Sequence, residues 1–408
     1  MGRGDDMAGR WLSIIGIGED GRAGLPAMAL ELIERAELVI GGARHLTLVG
    51  KTTGEQMAWG SPLEQTIPAI MARRGRPVAV LASGDPFWFG AGVTLARHVP
   101  PEEFRSIPSP SAFSLAANRL GWALQDVVTI GLNSRPVNSI VPHLHGGARI
   151  LALSAGPATP LEIAAKLVEL GFGKSRLTVL EALGGPDERI RAAEAGGFDL
   201  LDVEALNLSA IAVIAGPNAR PIVRAPGLPD DMFEHDGQIT KREIRAVTLS
   251  SLAPKPGEHL WDVGLGSGSI AIEWLLAHPA TTATGFEHEL VRFNRAVKNA
   301  RALGVHRLDA RFGAAPEVFA RCRQPDAVFV GGGASSPGVM DGAWAALKPG
   351  GRMVVNAVTL ETEALLFGWH ALHGGSLTRI AIERVEMVGR KRGWRPGMPV
   401  TQWAGRKP

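Results

Sequence analysis

The chain has 408 residues, 45% hydrophobic and 20% charged, with a formal net charge of +3. That length supports two or three domains with full hydrophobic cores, and the small net charge gives no argument for a nucleic-acid partner. A single cysteine, Cys322, excludes an internal disulfide and a cysteine-rich metal site, which points to a reducing cytoplasm. Asp5 and Asp6 interrupt the first ten residues, so no secretory leader is expected. No apolar run approaches the roughly 20 residues of a membrane span.

In chain order, the first strand pattern is Trp11 to Ile17, broken by Gly16 and Gly18 and followed by Glu19-Asp20. A helical period spans Pro26 to Ala36, and a short strand covers Leu38 to Ile40. Another apolar strand, Val78 to Leu81, ends in Ala82-Ser83-Gly84-Asp85-Pro86. After Ile107-Pro108-Ser109-Pro110 come a helix from about Ser111 to Leu120 and a strand at Ile150 to Leu153. A helix from Leu161 to Leu170 and strands at Leu177–Leu180 and Ala210–Ile214 complete this half. Alternating helix and strand periods describe an α/β domain. A phosphate cradle does not place two carboxylates beside its turn, so Gly16-Ile17-Gly18 is no phosphate site. By itself Asp85-Pro86 also reads as a plain β-turn.

Between Gly216 and Asp236 the periodicity stops, and Pro217, Pro221, Pro226, Gly227 and Pro229 follow one another. Such density marks an interdomain linker, so the domains are expected at 8–216 and 236–408 with a linker at 217–235. The second half then reads strand (Leu260–Val263), helix (Ile270–Ala277), strand (Thr284–Phe286), helix (Leu290–Leu303), strand (Leu308–Phe312), helix, strand (Asp326–Val330) and helix (Gly338–Leu347). After the turn Lys348-Pro349-Gly350-Gly351 come a strand (Met353–Val358), a helix (Glu361–Leu372) and two strand-like segments, Leu377–Val388 and Val400–Ala404. Five βα units with a closing hairpin describe a doubly wound, Rossmann-like sheet with a non-parallel edge.

Chemistry concentrates at Asp262-Val263-Gly264-Leu265-Gly266-Ser267-Gly268-Ser269. Glycines at these positions let the backbone adopt dihedrals forbidden to other residues and approach a ligand closely. A dinucleotide site prefers G-x-G-x-x-G; here the spacing is G-x-G-x-G, Ser269 stands where the last glycine would, and Asp262 precedes the turn. Glu287 ends the next strand about twenty residues on, where an acidic side chain can hold ribose hydroxyls. Together these residues resemble the class I S-adenosylmethionine (SAM) methyltransferases. Gly237-Gln238-Ile239-Thr240-Lys241-Arg242-Glu243-Ile244-Arg245, Gly313-Ala314-Ala315-Pro316-Glu317 and Asp326 to Gly333 are similar to segments of the decarboxylating precorrin methyltransferases. Ala314 departs from that pattern, in which an acidic residue often faces the adenine amine, so a backbone contact must serve there. Thr240 with Glu243 also reads as a capping box, compatible with Thr240 lining the SAM pocket.

In the first half, Gly16-Ile17-Gly18 paired with Ala82 to Pro86 resembles the tetrapyrrole (class III) methylases, in which SAM lies folded between two α/β lobes. Gly41-Gly42-Ala43-Arg44-His45-Leu46 looks like the C5-methylating branch. Pro108-Ser109-Pro110 departs from the glycine many relatives carry and stiffens that loop. The fusion is similar to the C5,15-methylating, decarboxylating precorrin methyltransferase family of cobalamin biosynthesis. The resemblance implies one SAM per domain, C5 methylation in the first, and C15 methylation with loss of the C12 acetate carboxylate in the second. Cofactor contacts would come from Gly16, Gly18, Gly84, Asp85 and Pro86, and from Thr240, Asp262, Gly264, Gly266, Ser267, Gly268, Glu287, Ala314 and Ala315. A polycarboxylate substrate calls for cationic donors. Candidates are Lys241, Arg242, Arg245 and the basic run Arg390, Lys391, Arg392 and Arg395, of which Arg392 is singled out; that run also reads as a solvated hairpin turn.

The expected partner is a small-molecule tetrapyrrole, with no nucleic acid, membrane or bound metal, in a self-associating cytoplasmic enzyme. The metal-free substrate of the oxygen-dependent route is favoured over the cobalt-containing equivalent. Competing readings are an RNA or protein methyltransferase using the second domain alone, disfavoured by 6% aromatics and no tyrosine, and a non-catalytic NAD-binding module, disfavoured by Ser269.

Overall fold

The computed structural model describes residues 9–60 and 62–408. Asp5 and Asp6, which bear on the leader reading, and Ala8, the expected start of the first domain, lie outside the described residues. The chain divides into two compact units, one reaching Arg220 and the other running from Pro221 to Pro408, with Asn138–Pro142 grouped with the second.

The first unit holds two sheets. The first sheet is built from β1 (Leu12–Ile17), α1 (Ala27–Arg35), β2 (Leu38–Gly41), α2 (Ala43–Val49), β3 (Glu55–Ala58), α3 (Ile67–Met71), β4 (Val78–Ser83), α4 (Gly92–Leu95) and β5 (Phe104–Ile107). Its strands lie in the order β3-β2-β4-β1-β5, and every pairing is parallel. β1 and most of β4 are buried, which is why they read as unbroken apolar runs rather than alternations. Separate clusters around Ile14 and Val80 and around Ile15 and Leu81 cover the two faces. After α5 (Ala112–Leu120), the second sheet uses β6 (Val128–Gly131), β7 (Arg149–Leu153), α6 (Thr159–Glu169), β8 (Arg176–Glu181), β9 (Arg189–Glu194) and β10 (Asn207–Ala212) in the order β6-β7-β10-β8-β9. Only β6 with β7 is parallel there. The sequence reading misses β3, β5, β6 and β9, all edge strands, because an edge is half solvated and carries no full apolar signal.

The second unit contains α7 (Arg242–Leu252), β11 (His259–Val263), α8 (Ser269–Ala277), β12 (Thr282–Glu287), α9 (Leu290–Ala302), β13 (Leu308–Phe312), β14 (Ala327–Val330), α10 (Val339–Ala346), β15 (Arg352–Ala357), α11 (Leu360–His373) and β16 (Ser376–Ile380). The chain ends with β17 (Glu383–Val388), β18 (Lys391–Pro396) and β19 (Val400–Arg406). The main sheet runs β13-β12-β11-β14-β15-β19-β16, with β19 antiparallel to both neighbours. Strand order reverses at β11, so the crevice between the carboxyl ends of β11 and β14 is where such sheets bind ligands.

Two expectations change here. No helix joins β13 to β14; a single 3-10 turn, Glu317–Phe319, does so, and Arg321, with φ 62°, leaves right-handed helical geometry two residues later. The single segment Leu377–Val388 is two strands: β16 joins the main sheet, whereas β17 pairs with β18 in a separate ribbon.

Composition also misreads part of the linker. Leu228 and Phe233 are buried, and the N–H groups of Gly227 and Leu228 donate to the carboxylate of Glu273 at 2.6 and 3.0 Å. Residues 227–235 are packed structure of the second unit.

Candidate active sites

In the first unit, parallel pairing sets Gly16 opposite Ala82, so the glycine turns after β1 and β4 meet. A Cβ on Gly16 would lie 1.9 Å from Gly84 O and 2.6 Å from Ser109 N. No side chain fits there. The Gly84 N–H donates to Ile17 O at 3.1 Å, and the Ser109 N–H donates to Gly84 O at 3.1 Å. Ser109 Oγ–H donates to Gly16 O at 2.8 Å, so the Pro-Ser-Pro loop ties the carboxyl ends of three strands together. Asp85 accepts the Phe87 N–H on one carboxylate oxygen at 2.8 Å, which closes a local turn.

These turns border a cleft of about 360 Å³ within the first unit, lined among others by Gly18, Ser83, Trp59 and Phe89. His45, also in the lining, is buried. Burial, with Arg44 adjacent, pushes its pKa down to about 4, so the ring is neutral near pH 7. Its Nδ1 accepts the Gly42 N–H at 3.3 Å, which assigns the proton to Nε2, a donor to Ser83 Oγ at 2.8 Å. Arg44 donates to the same Ser83 oxygen at 3.0 Å and pairs with Glu19.

Across the cleft, Ser154 Oγ and Asn207 Oδ1 are buried without hydrogen-bond partners. Asn207 Nδ2 is already committed to Gly156 O and Glu204 O at 3.2 and 2.7 Å. Burying a polar atom unpaired is costly. An acceptor and a hydroxyl orphaned on one wall, facing glycine turns on the other, fit a small ligand that carries amine and hydroxyl groups, as SAM does. Sequence reasoning missed both residues, because one serine and one asparagine at strand ends give no pattern.

In the second unit the glycine turn after β11 is left-handed at Gly264 (φ 78°), Gly266 (φ 56°) and Gly268 (φ 77°). A Cβ on Gly264 would meet Gly332 N at 2.8 Å, whereas one on Gly266 would meet nothing closer than Gly264 O at 3.9 Å. Gly264 therefore closes the turn against the loop after β14, and Gly266 presents bare backbone. The Gly266 N–H donates to Glu287 Oε2 at 2.8 Å, while Glu287 Oε1 accepts the His288 and Glu289 N–H groups at 3.0 Å each. Those bonds fix the buried carboxylate, and Oε2, with one bond, keeps acceptor capacity for a ribose hydroxyl. The Gly313 N–H donates to Glu287 O at 2.9 Å, which brings Ala314 and Ala315 beside the same strand end. Ser267 is buried, its carbonyl accepting from Asn299 at 2.9 Å. A held carboxylate with spare acceptor capacity and a side-chain-free turn fit SAM here as well.

Asp262 is 1% exposed and accepts the Ala271 N–H at 3.0 Å, anchoring α8 to the end of β11. Burial raises its pKa well above the usual range, and Glu287 nearby adds to the rise.

Three expectations around α7 change. Thr240 does not cap the helix: α7 starts at Arg242 with Lys241 at the cap position and no side-chain cap bond. Glu243 pairs instead with Arg384 of β17. Arg245 is no substrate donor; it is fully buried, bound to Glu273, to Asp230 at 3.1 Å and to the carbonyls of Thr240 and Leu228. Its place was legible, since Thr248, Leu249 and Leu252, at i+3, i+4 and i+7, are all buried. Lys241 and Arg242 are exposed at the start of α7, where they donate to the carbonyls of Gly237 (3.2 Å) and Gly227 (2.9 Å). Arg392 is exposed on β18 opposite Met387.

Family models match both units: residues 12–198 match the tetrapyrrole (corrin/porphyrin) methylases, and residues 231–407 match the precorrin methyltransferase domain. Over 97% of its length the chain is 54% identical to the precorrin-6Y C(5,15)-methyltransferase [decarboxylating] of Sinorhizobium sp, spanning 96% of that relative. The chain belongs to the decarboxylating precorrin-6Y C5,15-methyltransferase family. A Mycobacterium tuberculosis protein of the same name is 39% identical over 96% of this chain and 98% of its own. The solved C-terminal domain of precorrin-6Y C5,15-methyltransferase from Rhodobacter capsulatus is 46% identical, covering 46% of this chain and all of its own, with a TM-score of 0.44. Both glycine turns thus lie inside matched segments of this precorrin-6Y methyltransferase family. Among the described residues no helix is long and apolar enough to cross a membrane.

Proposed function

We propose that the chain methylates a precorrin at C5 and C15 and decarboxylates its C12 acetate, with one SAM bound in each unit. The observation carrying this reading is the pair of glycine turns, Gly16 packed on Gly84 and Gly264 packed on Gly332, at the strand ends of two differently built sheets. Bound SAM supplies an electrophilic methyl group on a sulfonium. The acceptor is a ring carbon with enamine character, which provides its own electron pair, so the protein needs no side-chain nucleophile and contributes chiefly by positioning. Glu287 holds the ribose and Gly266 allows close approach in the second unit; Asn207 and Ser154 take the ligand's polar groups in the first. Loss of CO2 sends electrons into the conjugated ring, and the protein's part is to desolvate that carboxylate while Lys241, Arg242 and Arg392 hold others. C5 is assigned to the first unit, and C15 with decarboxylation to the second.

The metal-free substrate of the oxygen-dependent route and a cytoplasmic setting complete the reading. Self-association is supported by the β17–β18 ribbon, whose Val385, Met387 and Trp394 are 52%, 61% and 70% exposed; apolar area of this kind is commonly covered by a partner.

The test is calorimetric titration of the full chain with S-adenosylhomocysteine, the demethylated product, followed by mass analysis of the tetrapyrrole after reaction with SAM. Two binding sites per chain and a product with two added methyls and one lost CO2 are expected. A single site, or a product unchanged in mass, removes the reading.

A further inference from the structure

We infer that Phe89, with Trp88 beside it, is the platform on which the conjugated tetrapyrrole ring rests for C5 methylation; this depends on the assignment of C5 to the first unit's cleft. Phe87, Trp88 and Phe89 follow directly on Gly84-Asp85-Pro86 and are 41%, 47% and 46% exposed. Trp88 and Phe89 border the cleft. Phe87 does not line it, and its ring stacks instead on Phe104, centroids 5.9 Å apart at 22°.

Phe89 has a backbone φ of +58°, a left-handed conformation that a bulky residue rarely takes and that glycine adopts freely. The turn places glycine at 90 and 92 yet keeps a phenyl ring at 89. The surroundings accommodate that ring. Its centroid lies 5.5 Å from the buried Phe113, and a Cβ on Gly131 would sit 3.1 Å from Phe89 Cδ1, so β6 leaves the room the ring occupies. Trp88 meets it edge-on at 6.1 Å. Side chains held in sparsely populated conformations concentrate at ligand sites.

The chemistry of the cleft selects the occupant. Its deep polar groups, Asn207 and Ser154, suit the hydrophilic methyl donor. A cleft of about 360 Å³ is at the small end of small-molecule sites and does not hold a macrocycle as well. The larger ligand therefore lies across the mouth, where half-exposed rings offer flat apolar contact to a conjugated face and Arg44, also in the lining, lies near its carboxylate rim.

The experiment uses the full chain and a tetrapyrrole already methylated at C15 and decarboxylated, so that only C5 methylation is read. Phe89→Gly relieves the left-handed strain while giving up the ring's contact with Phe113, so the two changes oppose each other and its Tm should shift little, which separates lost contact from lost fold. Phe89→Gly and Trp88→Ala should each raise KM about tenfold with little change in kcat and unchanged S-adenosylhomocysteine affinity, while Phe87→Ala leaves KM alone. Unchanged KM in Phe89→Gly overturns the platform, and so does weakened S-adenosylhomocysteine binding, which would assign the rings to the methyl donor. If Gly16→Val abolishes C5 methylation while Phe89→Gly leaves KM intact, the platform alone falls. If C5 methylation survives Gly16→Val, the assignment of C5 to this cleft falls, and the platform with it.

Discussion

Gly16 and Gly266 stand at comparable places, Gly16 at the carboxyl end of β1 and Gly266 in the turn just after β11, yet they are glycines for opposite reasons. Around Gly16 there is no space, since a methyl group would overlap the Gly84 carbonyl at 1.9 Å. Around Gly266 a methyl group would meet nothing closer than 3.9 Å, and the constraint is its φ of 56° and the ligand expected to fill that space. Motif spacing alone treats the two alike. The first is a packing requirement that builds the site; the second is a conformational requirement that leaves it open.

The largest effect expected from breaking this contrast is that of Gly16→Val. Overlap with backbone cannot be relieved by a rotamer change, so the first unit should lose about 3 kcal/mol or more and C5 methylation with it. Differential scanning calorimetry and product mass would show this, with C15 methylation retained. Arg245→Leu should follow, at about 3 kcal/mol, because it strands the buried Glu273 carboxylate; urea titration would register the loss. Were the variant to keep its stability and raise KM for the tetrapyrrole instead, Arg245 would be a substrate donor after all. Gly266→Leu should cost only about 1–2 kcal/mol in stability, for its left-handed backbone. It should nevertheless remove one of two S-adenosylhomocysteine sites by calorimetry, sparing C5 methylation.

Asp262→Asn should have the smallest effect in acid, and its size depends on pH. A carboxyl whose folded pKa is raised above its unfolded value stabilises fully below the unfolded value, near pH 3.8, and loses that contribution as pH rises through the folded pKa. The substituted amide would keep an acceptor for the Ala271 N–H without ionising. Relative to the natural chain, the variant should therefore match it near pH 4 and gain stability as pH increases, as denaturation at several pH values would reveal.

The central strands and both glycine turns were legible, because buried strands are unbroken apolar runs and their turns need glycine, whereas the first unit's edge strands were not. What the turns touch was not legible. Ser109 reads as one residue of a stiff loop, and only parallel pairing of β1 with β4 and β5 brings its hydroxyl to Gly16. Asn207 and Ser154 meet because β10 pairs antiparallel with β7, a juxtaposition about fifty residues apart with no local trace. Arg245 misleads in another way. In the run Lys241-Arg242-Glu243-Ile244-Arg245 charge alone suggests a basic surface, and only helical phase separates exposed Lys241 and Arg242 from buried Arg245. The β17–β18 ribbon was merged with its neighbour because Ala381-Ile382 carries none of the glycine or proline that usually marks a break.

The Glu273 carboxylate has a consequence for where the molecule can be cut. It is held by Arg245 and by the N–H groups of Gly227 and Leu228, which lie upstream of Asp236, where the alternating pattern resumes. A fragment starting at Asp236 would remove both backbone donors and the buried side chains of Leu228 and Phe233. It would leave one anion facing one cation in an opened core. A fragment starting at Pro221 keeps the whole fastening, so the natural excision point of the second unit precedes Gly227.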